Sequence, residues 1–508
     1  MVKDKLKDIT ELGRIAQMLR AEGKVVVLAH GTFDLMHLGH VRHLEVAKKE
    51  GDILIVTVTG DRFVNKGPGR PVFTHFIRAE MIASLECVDY VGINDNPTAE
   101  NVLEAVRPSI YVKGSDYANS EDDVTGGIIH ERAMVERYGG RLVFTNEVTF
   151  SSSSLVNKHL DIYDPPLRDF LDRHRQQDSL NELFRHLEKI KDFKILMIGD
   201  TIIDEYRYVI PMGRSPKENM IATLFQNSEV FAGGVIAAAN HVAGFCADIE
   251  VLTCFGDRDS HEETVRESLK PNVRLTVLHR SDVPTTCKTR FIDQSYLRKL
   301  FEVYMMDDTP LDGELEAGFI KQIEEKARSV DVVIVTDFGH GLITPKIIQA
   351  LLRSAPFLAV NAQSNSANTG FNLITKYPRA DYICIDGPEA RLAVADKYAD
   401  IVKTISELLP ARIDCKRMVV TNGRHGCVSY DGGEHVVQIP AFTKTVVDTV
   451  GAGDAFFAVT APLVAAGTNM EHVAFVGNVA GALKVSIVGH RKSVDKASLM
   501  KYLQTLLK

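Results

Sequence analysis

Eleven residues from His30 to His40 read HGTFDLMHLGH, and they put three histidines and two glycines directly after the apolar run KVVVLA. Three chemistries suit that spacing: a metal centre, a histidine pair buried for packing, or a cradle for phosphate. His37 and His40 lie three apart, so on a helix they share a face and can donate hydrogen bonds to one anion. A zinc site would need a third ligand, for which Asp34 and His30 are the candidates. A helix starting near Gly39 would aim its first N–H groups at the same place, which favours the anion. A second stretch, VVDTVGAGDAFFA from Val446 to Ala458, has a related design. There Gly451, Ala452 and Gly453 can turn backbone N–H groups toward an oxyanion. Asp454, at a helix start, can take the proton of an attacking hydroxyl.

Other residues supply charge near the first motif. NKGPGRPV offers Lys66 and Arg70 on a glycine- and proline-bearing loop, read as a phosphate clamp or as a solvated turn. VKGSDY sets Lys113 at a strand end before Gly114. TFSSSSLVNKHL opens a helix with hydroxyls, a capping signal that could also hold phosphate.

The elements that must position these groups follow from hydrophobic periodicity. Leu6, Ile9, Leu12, Ile15, Ala16 and Leu19 predict an amphipathic leading helix. Short apolar, β-branched runs (VVVLA, DILIVTVTG, YVGI, IYVKG, RLVFT) then alternate with helical segments to about Leu160, the pattern of a parallel sheet with crossover helices. Pro165 and Pro166 break the pattern, and Leu180, Leu183, Phe184, Leu187 and Ile190 form a helical stripe, read as a linker helix or an oligomerisation helix. A second α/β pattern runs from KILMIGD through VLTCFGD, VVIVTDFG, FLAVN, YICID and RMVVTNG. The expected division is 1–160, a linker at 161–192, and 193–508. Each α/β part should present its ligand at the carboxyl ends of its strands.

Composition narrows the classes. With 508 residues the chain holds more than one domain, and 45% hydrophobic with 25% charged residues is the balance of a globular protein. Seven scattered cysteines without CxxC spacing favour neither disulfides nor a zinc ribbon. A net charge of −8 counts against a general nucleic-acid partner. The front of the chain has no apolar core of signal-peptide length, and no long apolar run follows. The reading is cytoplasmic, with no membrane partner.

The segment from about Val25 to Leu160 resembles the HxGH nucleotidyltransferases, specifically their sugar-phosphate and cytidylyltransferase branch. GTFDLMHLGHVRHLEVAKKEGDILIVTVTGD, RPV, LECVDYV and VKGSDY fall in that family's order. The resemblance implies that Thr32, Phe33 and Asp34 line a nucleotide pocket, and that His37 and His40 stabilise an α-phosphate attacked in line by a sugar 1-phosphate. It also implies that Lys66, Arg70, Arg78 and Lys113 neutralise phosphates. Ser152, Ser153 and Ser154 stand where the family has a Ser-Thr-Thr turn. The triphosphate is ATP or CTP, with Mg2+. The absence of a KMSKS-like loop separates the chain from tRNA synthetases, which share HxGH.

Lys194 to about Val488 resembles the ribokinase-like (PfkB) sugar kinases through DTxGAGD at Asp448–Asp454. That implies a doubly wound domain with a small β lid, beside the Rossmann-like N-terminal domain, and an overall α/β class. It implies Asp454 as base, Gly451, Ala452 and Gly453 as the anion hole, and Asp204, Gly233 and Gly234 on the sugar. Glu389 would sit near phosphates and, indirectly, Mg2+, while Thr421, Gly423, Gly426 and Asn478 meet the nucleotide. Two departures are present: Ala237 replaces a sugar-gripping Asn, and Asn361-Ala362-Gln363, before SNSANTG, replaces Asp-Pro-Lys. Together the halves resemble bifunctional heptose kinase/heptose-1-phosphate nucleotidyltransferases with the domains in reversed order. The expectation is an enzyme using sugar phosphates and nucleoside triphosphates, pairing as a homo-dimer. The alternative is a nucleotidyltransferase carrying a degenerate kinase-like binding module.

Overall fold

The structure, a computed structural model, describes residues 2–64, 66, 67, 70–114, 127–145, 157, 163–433, 435–443 and 445–508. The first sheet comprises β1 (Val26–Gly31), β2 (Ile53–Thr59), β3 (Tyr90–Asn94), β4 (Ile110–Gly114) and β5 (Arg141–Thr145). All five are parallel, in the order β3-β2-β1-β4-β5. Alternate residues of β1 feed two cores, as strand geometry requires. Val27 and Ala29 pack with Leu44, Ala79 and Ile82 from helices Leu38–Lys49 and His75–Ala83. Val26 and Leu28 pack with Leu12, Leu103 and Val135 from helices Ile9–Ala21, Glu100–Val106 and Gly127–Arg137. Strand order reverses at β1, which opens a crevice beyond its carboxyl end. HGTFDLMHLGH leaves the sheet there.

The second α/β part uses β6 (Lys194–Gly199), β7 (Thr201–Arg214), β8 (Ile221–Gly234), β9 (Asp248–Arg258), β10 (Val273–Pro284), β11 (Cys287–Asp293), β12 (Arg298–Met305), β13 (Val332–Asp337), β14 (Leu358–Ala362), β15 (Tyr382–Asp386), β16 (Met418–Thr421), β17 (Cys427–Tyr430) and β18 (Val436–Ile439). Nine of these form a sheet in the order β10-β9-β6-β13-β14-β15-β16-β17-β18. It is parallel up to β16 and finished by two antiparallel strands. The other four, in the order β12-β11-β7-β8, make the expected lid. Its reversal point lies between β6 and β13.

The chain divides into two compact units, Met1–Arg175 with Met500–Lys508, and Gln176–Leu499. This differs from the expected 1–160, 161–192 and 193–508. Pro165 and Pro166 open a helix, Pro165–Gln176, where a break was expected. Proline lacks only an N–H that the first helical turn leaves unused. The end of helix Lys496–Leu507 returns to the first unit, where the Thr505 carbonyl accepts from Asn157 Nδ2 at 2.9 Å and the Leu506 carbonyl from Arg175 Nη2 at 2.6 Å. No helix among the described residues is long and apolar enough to cross a membrane.

Candidate active sites

In the first unit, His37 is the N-cap of helix Leu38–Lys49, and its Nδ1 accepts the Gly39 N–H at 3.1 Å. The neutral ring therefore carries its proton on Nε2. The His37 and His40 rings stack at 4.0 Å, and Phe33 meets His40 edge-on at 5.3 Å. Phe33 holds φ +48°, a left-handed conformation rare for a bulky residue, and with it the chain turns out of β1. Burial, then His37 and Lys66, push His40 down to about 3, and burial lowers His37 as well. Both are neutral donors at physiological pH. Among the described residues, the one group of three metal-grade ligands is Glu182, His186 and His472, which includes neither of these histidines.

The cations divide by role. Burial, then Lys501 and Arg70, push Lys66 down to about 7, opposed by Asp34. Arg70 Nη1 lies 3.8 Å from Asp34, and Arg70 Nη2 donates to Asn157 at 2.8 Å. Asp34 is buried and accepts the Val72 N–H at 2.6 Å, so it ties the clamp loop to the histidine loop. Lys113 pairs with Glu131 at 2.9 Å. The phosphate role implied for Arg78 needs correction. Its fully buried guanidinium donates to the carbonyls of Phe73 (2.9 Å), Thr59 (2.8 Å) and Thr32 and to Asp61 (2.6 Å). It is a clamp on the loops after β1 and β2, with four of its five N–H donors committed to them. Ser152, Ser153 and Ser154 lie outside the described residues.

Two residues of the first site, His43 and Asn157, were missed in the sequence reading, and His30 was weighed there only as a zinc ligand. His30 bonds Thr57 at 2.9 Å, and His43 bonds Thr145 at 2.8 Å. Burial, then Lys113, pushes them down to about 3 and about 4. Asn157 joins Arg70 to Tyr163, whose hydroxyl donates to it at 2.9 Å. His43 sat beside the motif and could have been found. Asn157 carried no signal.

In the second unit, Gly451 caps helix Ala452–Ala465 at φ +74°, and a Cβ on it would stand 2.8 Å from His490. A Cβ on Gly453 would meet no protein atom within 4 Å, so the space at the helix start is open. Asp454 is buried there and accepts from Gln363 Nε2 at 2.5 Å. Burial raises its carboxyl, with His490, Gln363 and Lys484 opposing. Asp204, on the lid strand β7, pairs with Arg290 and lies 3.2 Å from His490 Nε2. Burial alone would raise Asp204, but His490 and Arg290 outweigh it and hold the carboxylate well below its usual range. Gly233 makes room for it, because a Cβ would fall 2.2 Å from Asp204 Oδ2. Gly234 is equally constrained, at φ +58° with a Cβ 2.3 Å from the Asp200 carbonyl.

The nucleotide-side residues are framed by backbone. Glu389 completes a capping box with Asp386; it accepts the N–H of Asp386 at 2.8 Å and of Ser364 at 2.9 Å. Burial, then Asp386, raises its carboxyl. Thr421 ends β16, Gly423 turns at φ +53°, and a Cβ on Gly426 would collide with the Ile439 carbonyl at 1.9 Å. Asn478 Nδ2 reaches the Pro440 carbonyl at 3.2 Å. The two departures also acquire places. Ala237 is buried in helix Val235–Val242, and Asn361 donates to the Cys384 carbonyl at 2.7 Å. Asn365 and Asn368 of SNSANTG donate to the Phe338 carbonyl at 2.9 and 2.8 Å, lacing that loop to the end of β13. His490, Lys484 and Asp448 were not singled out, since only Asp448 falls inside a recognisable motif.

Comparison with known proteins follows the same division. Residues 28–158 match the cytidylyltransferase-like family model, and residues 192–497 match the model of the pfkB family carbohydrate kinases. Among curated relatives, the bifunctional protein HldE of Geobacter sulfurreducens is 38% identical over 162 residues, 31% of this chain and 32% of the relative. That of Nitratiruptor sp. is 45% identical over 118 residues, 23% of this chain and 26% of the relative. The chain thus spans about a third or less of the length of these relatives. Phosphofructokinase-2 from Escherichia coli, solved with substrates and products, aligns with a TM-score of 0.51 at 15% identity, covering 62% of this chain and 100% of that one, a likeness of fold. The order along this chain, cytidylyltransferase-like then kinase, gives no ground for treating it as an inverted variant, and that expectation is dropped. The kinase match spans well over half of the sequence, and the chain belongs to the pfkB family of carbohydrate kinases.

Proposed function

We propose that the chain is a bifunctional enzyme of nucleotide-sugar synthesis. Its second unit phosphorylates a heptose-like sugar or sugar phosphate with ATP. Its first unit moves a nucleotidyl group from ATP or CTP to a sugar 1-phosphate and releases pyrophosphate. The observation that carries this reading is the pair of helix starts. Each lies beyond the sheet of its own unit, one beside two neutral histidines, the other beside buried Asp454 with Asp204 nearby.

In the kinase reaction Asp454 takes the sugar hydroxyl proton as the oxygen attacks the γ-phosphate, and the N–H groups after Gly451 receive the charge of the transferring group. Asp204, held ionised by Arg290 and His490, accepts from sugar hydroxyls. In the nucleotidyl transfer His37 and His40 donate to the α-phosphate, while Lys66 and Arg70 hold the rest of the triphosphate. Positioning and charge stabilisation do the work, with no covalent enzyme intermediate. Magnesium, arriving with the nucleotide, supplies charge neutralisation at the phosphates. Glu389, with both oxygens on backbone N–H groups, suits contact through water. Exposed Ile221, Leu224, Phe225, Phe301 and Val303 on the lid support pairing of two chains in a soluble, cytoplasmic enzyme.

A second reading is favoured by one contact: Gln363 occupies the Asp454 carboxylate, as a degenerate, binding-only kinase unit would allow. The deciding experiment measures pyrophosphate and ADP release with ATP or CTP against a panel of sugars and sugar 1-phosphates. His37→Ala and Asp454→Asn serve as controls. Pyrophosphate release lost in the first variant, and ADP release lost in the second, are expected. Pyrophosphate without ADP from any sugar would select the second reading, and neither product would refute the substrate class.

A further inference from the structure

Lys484 is fully buried near the end of helix Met470–Lys484, and its ammonium serves two loops at once. It donates to the Val450 carbonyl at 2.7 Å and to the Gly489 carbonyl at 2.8 Å. Asp448 takes the complementary groups of the same two residues. Its carboxylate accepts the Val450 N–H at 3.1 Å and the Gly489 N–H at 2.8 Å. One cation and one anion therefore clasp both polar backbone groups of Val450 and of Gly489. Tyr206 and Lys299 fix the anion in turn, donating to it at 2.8 and 2.7 Å. The N–H groups of Val447 and Asp448 reach the Val485 carbonyl at 2.8 and 3.1 Å, closing the lacing.

The clasped residues sit at the reacting centre. Val450 precedes Gly451, the cap of the anion-receiving helix, and a Cβ on Gly451 would stand 3.3 Å from Lys484 Cε. Gly489 precedes His490, which lies 3.2 Å from Asp204. Moving either loop would shift the phosphate turn or the group that orients the sugar-side carboxylate.

From this geometry we infer that Lys484 is a positioning residue that acts as a built-in monovalent cation, holding the Gly451 turn and the His490 loop in register for the kinase reaction. A buried ammonium between carbonyls of two loops does what a bound ammonium or potassium ion would do, but without a binding equilibrium. The phosphate turn is therefore organised at any monovalent ion composition. The inference rests on the kinase reading for its consequence, and on geometry alone for its existence.

The test uses the full chain with two readouts, binding of a non-hydrolysable ATP analogue with Mg2+ and ADP formation with the sugar the wild type turns over. Wild type is expected to be indifferent to replacing sodium with potassium or ammonium at matched ionic strength. Lys484→Ala should weaken analogue binding and turnover about tenfold or more, the scale of lost charged hydrogen bonds. Ammonium chloride should restore both, whereas sodium chloride should not. Lys484→Met, which fills the space with an apolar group, should show the loss without the recovery, a contrast that mere destabilisation would not produce. A wild type that needs potassium or ammonium would overturn the inference without any variant. So would unchanged binding in Lys484→Ala, or recovery that sodium gives equally. If wild type forms no ADP from any sugar, the kinase reading fails, while the binding arm still decides the clasp.

Discussion

Burial sets the direction of the shift at His37, His40, Lys66 and Asp454, whereas partners prevail over it at Asp204. Lys66 gives the clearest pH effect. Burial, Lys501 and Arg70 bring it to about 7, so it is an ammonium at pH 6 and mostly an amine at pH 8. A polyanion binds the charged form better, so triphosphate affinity should fall as pH rises through 7 in the free protein. Calorimetric titration with ATP or CTP at pH 6 and 8 checks this, and Lys66→Met should flatten the difference. Asp454→Asn should cut ADP formation by about a hundred- to ten-thousandfold with nucleotide binding kept, the range for losing a general base. Arg78→Met should instead unfold the first unit more easily, by about 3 kcal/mol in chemical denaturation, because Asp61 is left with His75 alone and three carbonyls lose their donor. The family resemblance implied a phosphate role for Arg78, and sequence alone does not reveal that its guanidinium is buried. His37 and His40 were legible because their spacing and the helix start act locally. His490 and Lys484 were not, since they meet the site only through the fold.

Elements were more legible than single residues. β-branched runs alternating with helical stripes specify parallel strands and crossovers, and each strand named from sequence has its counterpart, from VVVLA in β1 to RMVVTNG in β16. The Pro165–Pro166 pair misled because a breaker and a helix start use the same residue. Glycine positions at element junctions are sharply constrained. Gly426→Ala should cost about 2 kcal/mol or more in equilibrium unfolding, since φ +84° and a Cβ 1.9 Å from the Ile439 carbonyl both oppose it. Gly233→Ala should act on function, displacing Asp204 and raising the KM for the sugar far more than for ATP. The SNSANTG run had no element reading at all. Its asparagines fold the loop by donating to carbonyls at the end of β13, a role that depends on contacts distant in sequence.

At the scale of the whole molecule, the first unit is built from two separated stretches, Met1–Arg175 and Met500–Lys508. The sequence reading left the last stretch in the second α/β part, 193–508, because nothing local says which sheet it serves. Asn157 links that stretch to Arg70: its amide oxygen accepts from Arg70 at 2.8 Å, and its amide nitrogen donates to Thr505 at 2.9 Å. Deleting residues 500–508 should therefore loosen the clamp loop and lower nucleotidyl transfer. ADP formation should change little, as separate assays of the two products and hydrogen exchange over residues 66–78 would report. The interleaving also sets an order of events during synthesis. A nascent chain produces all of the second unit before the segment that finishes the first exists. The unit encoded first is completed last, and a polypeptide clipped after Leu499 would lack part of the first unit's frame.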